Sequence, residues 1–201
     1  MRSTPPPGWR VGADDLLSDR GATGIDHPGG TLFAHVVRVS EILRSWGADE
    51  TLQAAGLCHA CYGTAGFPKA LLDLSERDLL AGVIGADAET VVHLYAACDR
   101  SSVYPRLAAH DGLRWTDRFT GHTAPVDERT ARQLVELTAA NELDLVRTDP
   151  ASAASWAPEF HELLRGARHR LSPEALAAWA EAMDGTEPAR RSGRLTTSRP
   201  A

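Results

Sequence analysis

The stretch GTLFAHVVRVSEILRSWG (residues 30–47) decides the fold class of this chain. Its large apolar residues recur at steps of 4, 3, 4 and 3, which is the period of a helix with one buried face. They are Leu32, Val36, Val39, Leu43 and Trp46. Gly47 follows directly and is a residue that commonly ends helices. The pattern predicts a helix from about Gly30 to Trp46.

The same period continues along most of the chain. We expect a second helix from the N-cap Asp49 to Tyr62-Gly63, a third from Ser75 to Gly85, a fourth over about 87–99, a long helix from Asp127, one over about 156–168, and one from Ser172. No segment shows the alternation of a convincing strand. The prediction is an all-α helical bundle.

Composition limits the organisation and the partners. The 201 residues are 43% hydrophobic, enough for one core, so we predict a single domain over 13–183. Residues 1–12 and 184–201 are polar or rich in Pro and Gly and are expected to be flexible tails. The net charge of −6 disfavours nucleic acid and anionic membranes as partners. Without an 18-residue apolar run or a secretion-signal core, we predict a cytoplasmic protein with a small-molecule substrate, and leave a homodimer open.

Three helices each place one ionisable group on an apolar face. His35 leads the series His35, Val39, Ile42, Trp46; His59 follows Leu52, Ala55 and Gly56; Asp99 follows Val92 and Tyr95. Such groups need a partner, because burying an uncompensated charge is costly. Two imidazoles and a carboxylate suit iron, manganese or zinc, and His27 is a further candidate ligand. The alternative is a buried hydrogen-bond network without metal.

These residues carry a resemblance to a known group of proteins. His35, His59 and Asp99 resemble the first histidine, the histidine of the His-Asp pair and the final aspartate of the HD-domain superfamily. More closely, HPGGTLFAH, AGLCHACYGT, VIGADAE and LYAACDR resemble a bacterial HD-like family of uncharacterised function with a His-x-x-Tyr-Gly-Thr motif. The resemblance covers about residues 27–100 and more loosely reaches TAANELD near Asn141. It implies an HD-domain-like helical bundle and metal chemistry.

One departure changes what the resemblance implies. Ala60 stands where the HD pair has its aspartate and cannot ligate a metal. We therefore expect one divalent ion (Fe, Mn or Zn) held by His35, His59, Asp99 and His27, rather than two ions. The implied reaction on a small metabolite is hydrolysis of a phosphate ester or related bond, or iron-dependent oxidation or lyase chemistry. The alternative is a non-catalytic domain that binds a small molecule or a partner without metal.

Residues around the predicted ligands supply the remaining candidates. We assign catalytic roles to Tyr62, Arg100 and His122, and substrate contacts to Thr64, Arg118 and Asn141. Arg100 is suited to an anionic group, with an ion pair as the alternative. The pair Cys58 and Cys61 lies near a predicted helix C-terminus, where the helix dipole disfavours a thiolate, so we interpret both as core packing.

Overall fold

The computed structural model describes residues 4–186, with side chains to residue 184, as a bundle of helices with two small sheets. The helices are α1 (Trp9–Asp19), α2 (Leu32–Ser45), α3 (Glu50–Cys58), α4 (Arg77–Ile84), α5 (Ala86–Ala97), α6 (Arg100–Val103), α7 (Glu128–Thr148), α8 (Pro150–Ala153), α9 (Ala157–Gly166) and α10 (Pro173–Thr186). The predicted all-α class is confirmed.

The helix that decides the fold forms as its pattern predicts. α2 begins at the N-cap Thr31, whose side chain accepts a hydrogen bond from the Ala34 amide, and its chain reverses at Gly47 with φ 76°. Its five predicted inner residues are all buried. α2 packs against α3 and α7, α3 packs against α5, and α10 packs against α7 and α9. The face that carries His35 is therefore central.

Capping aspartates begin two further helices where the sequence indicated. Asp49 caps α3 through the Leu52 amide, and Asp127 caps α7 through the Thr130 amide. α3 is shorter than expected, since it ends at Cys58 and the chain turns through 59–62 to Gly63. That turn moves His59 from a helix interior to a helix end.

Four short strands correct the expectation that the chain has none. β1 (Asp26–His27) pairs antiparallel with β2 (Gly30–Thr31), and β3 (Arg114–Thr116) pairs antiparallel with β4 (Thr123–Pro125). Strands of two or three residues are too short to show alternation. The first hairpin carries His27 to the N-terminus of α2.

The ends of the domain also differ from the expectation. α1 begins at Trp9, which is buried, so residues 9–12 belong to the fold and not to a tail. α10 extends to Thr186, while residues 1–3 and 187–201, and so most of the predicted C-terminal tail, lie outside the described residues. Within 4–186, no helix has the length and apolar character that a membrane span needs.

Candidate functional site

A cavity of about 180 Å³ opens where the β1–β2 hairpin, α2, the end of α3 and α7 meet. Six of the ten predicted site residues line it: His27, His35, His59, Thr64, Arg100 and Asn141. Ala60, which replaces the carboxylate of the HD pair, also lines it. These six side chains come from the β1–β2 hairpin, α2, the chain just after α3, α6 and α7.

Three imidazole rings form one wall of this cavity. The ring of His27 stacks on that of His35 with centroids 4.0 Å apart, and the ring of His59 meets His35 edge to face at 5.2 Å. Burial, and then the neighbouring His35, lower the pKa of His27 to about 4 and that of His59 to about 3. At neutral pH both rings are therefore uncharged.

His35 is held by a buried carboxylate. Its Nδ1 lies 2.7 Å from Oδ2 of Asp144, and both side chains are 2% exposed. Arg38 donates to both oxygens of Asp144, at 2.6 and 2.9 Å. Burial alone raises the pKa of Asp144, but hydrogen bonds from His35 and Arg38 lower it overall, so the group is a carboxylate and His35 Nδ1 is the donor.

The other nitrogen of His35 connects to a second ion pair. Nε2 lies 3.2 Å from Oδ1 of Asn141, whose amide nitrogen donates to Glu142 Oε1 at 3.1 Å. Arg100 donates to the same Glu142 oxygen at 3.0 Å. His35 therefore lies between two carboxylate–guanidinium pairs, Asp144–Arg38 and Glu142–Arg100, and contacts the second pair through Asn141.

His59 has one nitrogen engaged and one free. Nδ1 lies 2.8 Å from the carbonyl oxygen of Gly56, which can only accept, so Nδ1 carries the proton. No described residue bonds Nε2, which keeps a lone pair. The buried Nδ1 of His27 also has no hydrogen-bond partner among residues 4–186. The cavity thus offers polar atoms that the described protein does not satisfy.

A tight loop places Thr64 beside the histidines. Gly63 takes φ 67°, and a Cβ there would lie 2.8 Å from the carbonyl oxygen of Pro68. The Thr64 amide donates to the Phe67 carbonyl at 2.7 Å, and the Phe67 amide donates to Thr64 Oγ1 at 3.1 Å. The Thr64 hydroxyl proton is left for a ligand.

Asp99 does not join the cluster, which corrects its predicted role as a metal ligand. α5 ends at Ala97, so Asp99 lies beyond the helix on whose face the spacing placed it. Its carboxylate caps α6 instead, accepting from the amides and hydroxyls of Ser101 and Ser102. A spacing argument fails where the helix has already ended.

Three further predicted residues lie away from the cavity. Tyr62 is buried and donates to Glu89 Oε1 at 3.1 Å, and burial together with Glu89 raises its pKa. Arg118 donates to the Ala96 carbonyl at 2.7 Å, and His122 is exposed in the β3–β4 loop. Catalytic roles for Tyr62 and His122 and a substrate contact for Arg118 are therefore not supported by position.

The metal set predicted from sequence does not fit the geometry. Among residues 4–186, no group of three or more His, Cys, Asp or Glu side chains is arranged to hold a metal ion. His27 and His35 stack face to face, an arrangement that does not point two ring nitrogens at one central atom. The cysteines are no alternative, since all three are free and buried, and burial raises the pKa of Cys98 to about 12.

Sequence reasoning missed Arg38, Glu142 and Asp144 as site residues. The segment NELD (141–144) supplies Asn141, Glu142 and Asp144 within one turn of α7. Three polar residues within one turn of a buried helix are the signal, because buried polar groups need hydrogen-bond or ionic partners inside the protein. Which partners they have depends on contacts with residues more than 40 positions away.

Comparison with known proteins leaves the activity open. Residues 16–100 are similar to a family described only as a domain of unknown function, DUF6817. No curated protein matches the chain. The similar region contains Arg100 and the three histidines of the cavity wall. It ends before α7, which supplies Asn141 and Asp144. The HD-domain resemblance is not tested by these comparisons and stays a prediction.

Proposed function

We propose that this protein is an enzyme that carries out acid–base chemistry on a small polar metabolite bound in the histidine-lined cavity. The observation that carries the proposal is the buried Asp144–His35 pair, whose imidazole lines the cavity. A carboxylate that accepts from Nδ1 fixes the tautomer and orientation of an imidazole and stabilises its protonated form. His35 is the proposed acid or base, and Asp144 is its positioning residue.

The surroundings of His35 support this role. Asn141 is its only cavity-side partner among the described residues, and the 3.2 Å contact is long enough for a substrate group to replace it. In this proposal Thr64 and Arg100, which line the same cavity, bind the substrate. Leu32 and Leu145 add apolar walls that limit the access of water. With few water molecules nearby, a proton on His35 would be transferred to the bound ligand and not to solvent.

The test of this proposal is proton transfer that depends on His35. Small polar metabolites are incubated with the protein in D₂O, and proton NMR follows conversion or exchange of C–H protons. We expect exchange or conversion with the parent protein, loss in His35→Gln, and full retention in the exposed control His122→Gln. Equal rates in the parent and His35→Gln would overturn the proposal, and binding without turnover would favour the non-catalytic alternative.

One observation favours a divalent metal as a second candidate. Nδ1 of His35 donates to a carboxylate and Nδ1 of His59 donates to a backbone carbonyl, which is how metal-ligating histidines are usually oriented. Binding would require the His27 and His35 rings to separate, so the present arrangement does not fit an ion. An HD-like hydrolase or oxygenase belongs to this candidate.

Metal analysis separates the two candidates. For protein purified without an affinity tag, the metal candidate predicts stoichiometric Fe, Mn or Zn that is lost in His59→Ala. The acid–base proposal predicts substoichiometric metal in both proteins and turnover that survives a chelator. The exposed variant His122→Ala serves as the matched control, because it removes an imidazole outside the cavity.

A further inference from the structure

The size of the cavity restricts the ligand. A volume of about 180 Å³ corresponds to about six water molecules at ~30 Å³ each. Pockets for drug-sized ligands are larger, at roughly 300–1,000 Å³. The occupant is therefore a molecule of a few non-hydrogen atoms, too small to be a nucleotide.

Arg100 supplies the permanent positive charge of the cavity wall. Its guanidinium donates to Glu142 at 3.0 Å and to the Tyr95 hydroxyl at 3.4 Å, which uses two of the five N–H groups that an arginine has. Gly66 lies against it, and a Cβ there would be 3.2 Å from Nη1. Arg100 lines the cavity, and its guanidinium matches a carboxylate in charge and shape.

Glu142 limits how much negative charge the ligand can carry. The Glu142 carboxyl group is buried and already forms an ion pair with Arg100. A ligand anion bound to Arg100 would therefore lie close to this carboxyl group. A phosphate dianion would place two further negative charges near Glu142, whereas a carboxylate adds one. A monoanion is therefore the better match.

His59 adds a requirement for a donor on the ligand. Because Nδ1 is committed to the Gly56 carbonyl, the neutral ring presents only a lone pair at Nε2. Nothing within residues 4–186 donates to that lone pair. A hydroxyl group on the ligand would satisfy it, and Thr64 lines the same cavity.

We propose that the ligand is a small hydroxycarboxylate, with its carboxylate on Arg100 and its hydroxyl donating to Nε2 of His59. This inference rests on the proposed function, since it names the class of molecule on which His35 acts. The apolar residues Leu32 and Leu145 then face the carbon skeleton. The hydroxyl also lies in the cavity that His35 lines, where proton transfer is proposed.

The test compares four probes at pH 7 by calorimetry and by NMR of ¹⁵N-histidine-labelled protein. Lactate carries both groups, propanoate lacks the hydroxyl, lactamide lacks the charge, and inorganic phosphate replaces the carboxylate. We expect lactate to bind at least about tenfold more tightly than each of the others, a factor that one lost hydrogen bond accounts for. Lactate should also shift the Nε2 signal of His59.

Variants locate the site. Arg100→Lys and Gly66→Ala should each weaken lactate binding about tenfold or more. The first replaces the planar guanidinium, which can bind a carboxylate through two hydrogen bonds, and the second adds a Cβ 3.2 Å from its Nη1. Gly66→Ala leaves the Arg100 and Glu142 side chains themselves in place, so it gives a second measurement if Arg100→Lys does not fold. Arg165→Lys, at an exposed ion pair with Glu162, is the matched control and should bind as the parent does.

The outcomes distinguish this inference from the proposed function. Equal binding of propanoate or lactamide, or tighter binding of phosphate, would overturn the hydroxycarboxylate. The hydroxycarboxylate would also be overturned if His35-dependent turnover occurred only with neutral or cationic metabolites. The acid–base function would then stand. A third result is that lactate binds, and the variants weaken its binding as expected, but no turnover depends on His35. That result would support the ligand class and overturn the catalytic role.

Discussion

Asp144 determines the state of His35 because it is the only carboxylate in contact with that ring among the described residues. Its two oxygens accept three hydrogen bonds, one from His35 and two from Arg38, while its side chain is 2% exposed. Replacing one member of a buried ionic group leaves the others unpaired, which costs more than the group contributes when intact. The energetics of the site therefore depend on this one side chain.

Asp144→Asn is expected to lower the free energy of unfolding by about 3 kcal/mol, because Arg38 and His35 lose their anion. The matched control is Asp111→Asn, at an exposed position, which should change it by less than about 0.5 kcal/mol. Urea unfolding at pH 7 measures both. In ¹⁵N NMR spectra the His35 signals should also move, since the carboxylate no longer fixes the tautomer. Unchanged His35 signals would contradict the assigned role.

Stability should fall as the pH is lowered below about 6.5, because His59 stays neutral in the folded protein. Its pKa is about 3 when folded, against about 6.5 when unfolded. Between these values the unfolded chain binds more protons, so protonation favours unfolding. At pH 5, 1.5 pH units below the unfolded value, the contribution is about 2 kcal/mol relative to pH 8.

His59→Gln tests this contribution. The difference in unfolding free energy between pH 8 and pH 5 should be about 2 kcal/mol smaller in the variant than in the parent. The exposed control His122→Gln should leave that difference unchanged. A variant that keeps the parent's full pH dependence would mean that His59 is not the group responsible.

At the level of secondary structure, the β1–β2 hairpin holds His27 at the cavity because it lies close against Arg38 and α7. Arg38 donates to the carbonyl oxygens of Pro28 and Gly29, each at 3.3 Å, so the same guanidinium binds the hairpin and Asp144. Gly29 has φ 78°, and a Cβ there would lie 2.6 Å from Thr148 Cγ2 on α7. The hairpin can approach α7 only because this residue lacks a side chain.

Gly29→Ala should therefore destabilise the protein by about 2 kcal/mol or more, from backbone strain and from the clash with Thr148. It should also shift the NMR signals of His27, since the hairpin must move. Gly82→Ala is the control, because Gly82 lies inside α4 with nothing within 4 Å of an added Cβ. There alanine should stabilise by up to about 1 kcal/mol. A stable Gly29→Ala protein with unmoved His27 signals would contradict the argument.

The elements also show what the sequence could predict. α2, α3, α5 and α7 were predicted because each carries a long buried stripe, and α3 and α7 also begin at an aspartate N-cap. α1 is shorter on its buried side and begins after Gly8, which provides no side-chain cap. His35 and His59 were found because periodicity identifies a buried face. Asp144 was not, since its partner lies 109 residues away and nothing local encodes that contact. Asp99 was misplaced because it lies two positions beyond Ala97, the last residue of α5.

At the scale of the whole molecule, the site is completed by parts of the chain that are distant in sequence. Residues 16–100, the region similar to DUF6817, bring His27, His35, His59 and Arg100. α7 brings the groups that pair with them, and it packs against α2, α3 and α5. α7 also buries Leu134 and Leu137 completely. The three-histidine wall should therefore not persist without α7, although every histidine in it precedes that helix.

A chain ending at Arg106, which keeps α1–α6, tests this dependence. Without α7 the buried face of α2 meets water and His35 loses Asp144, so we expect no cooperative thermal transition by circular dichroism and poorly dispersed amide NMR signals. The full-length Asp144→Asn variant is the control, because it loses the charge but keeps the helix, and it should still unfold cooperatively. A cooperative transition in the shortened chain would show that the first half folds alone, and α7 would then serve to complete the site rather than the core.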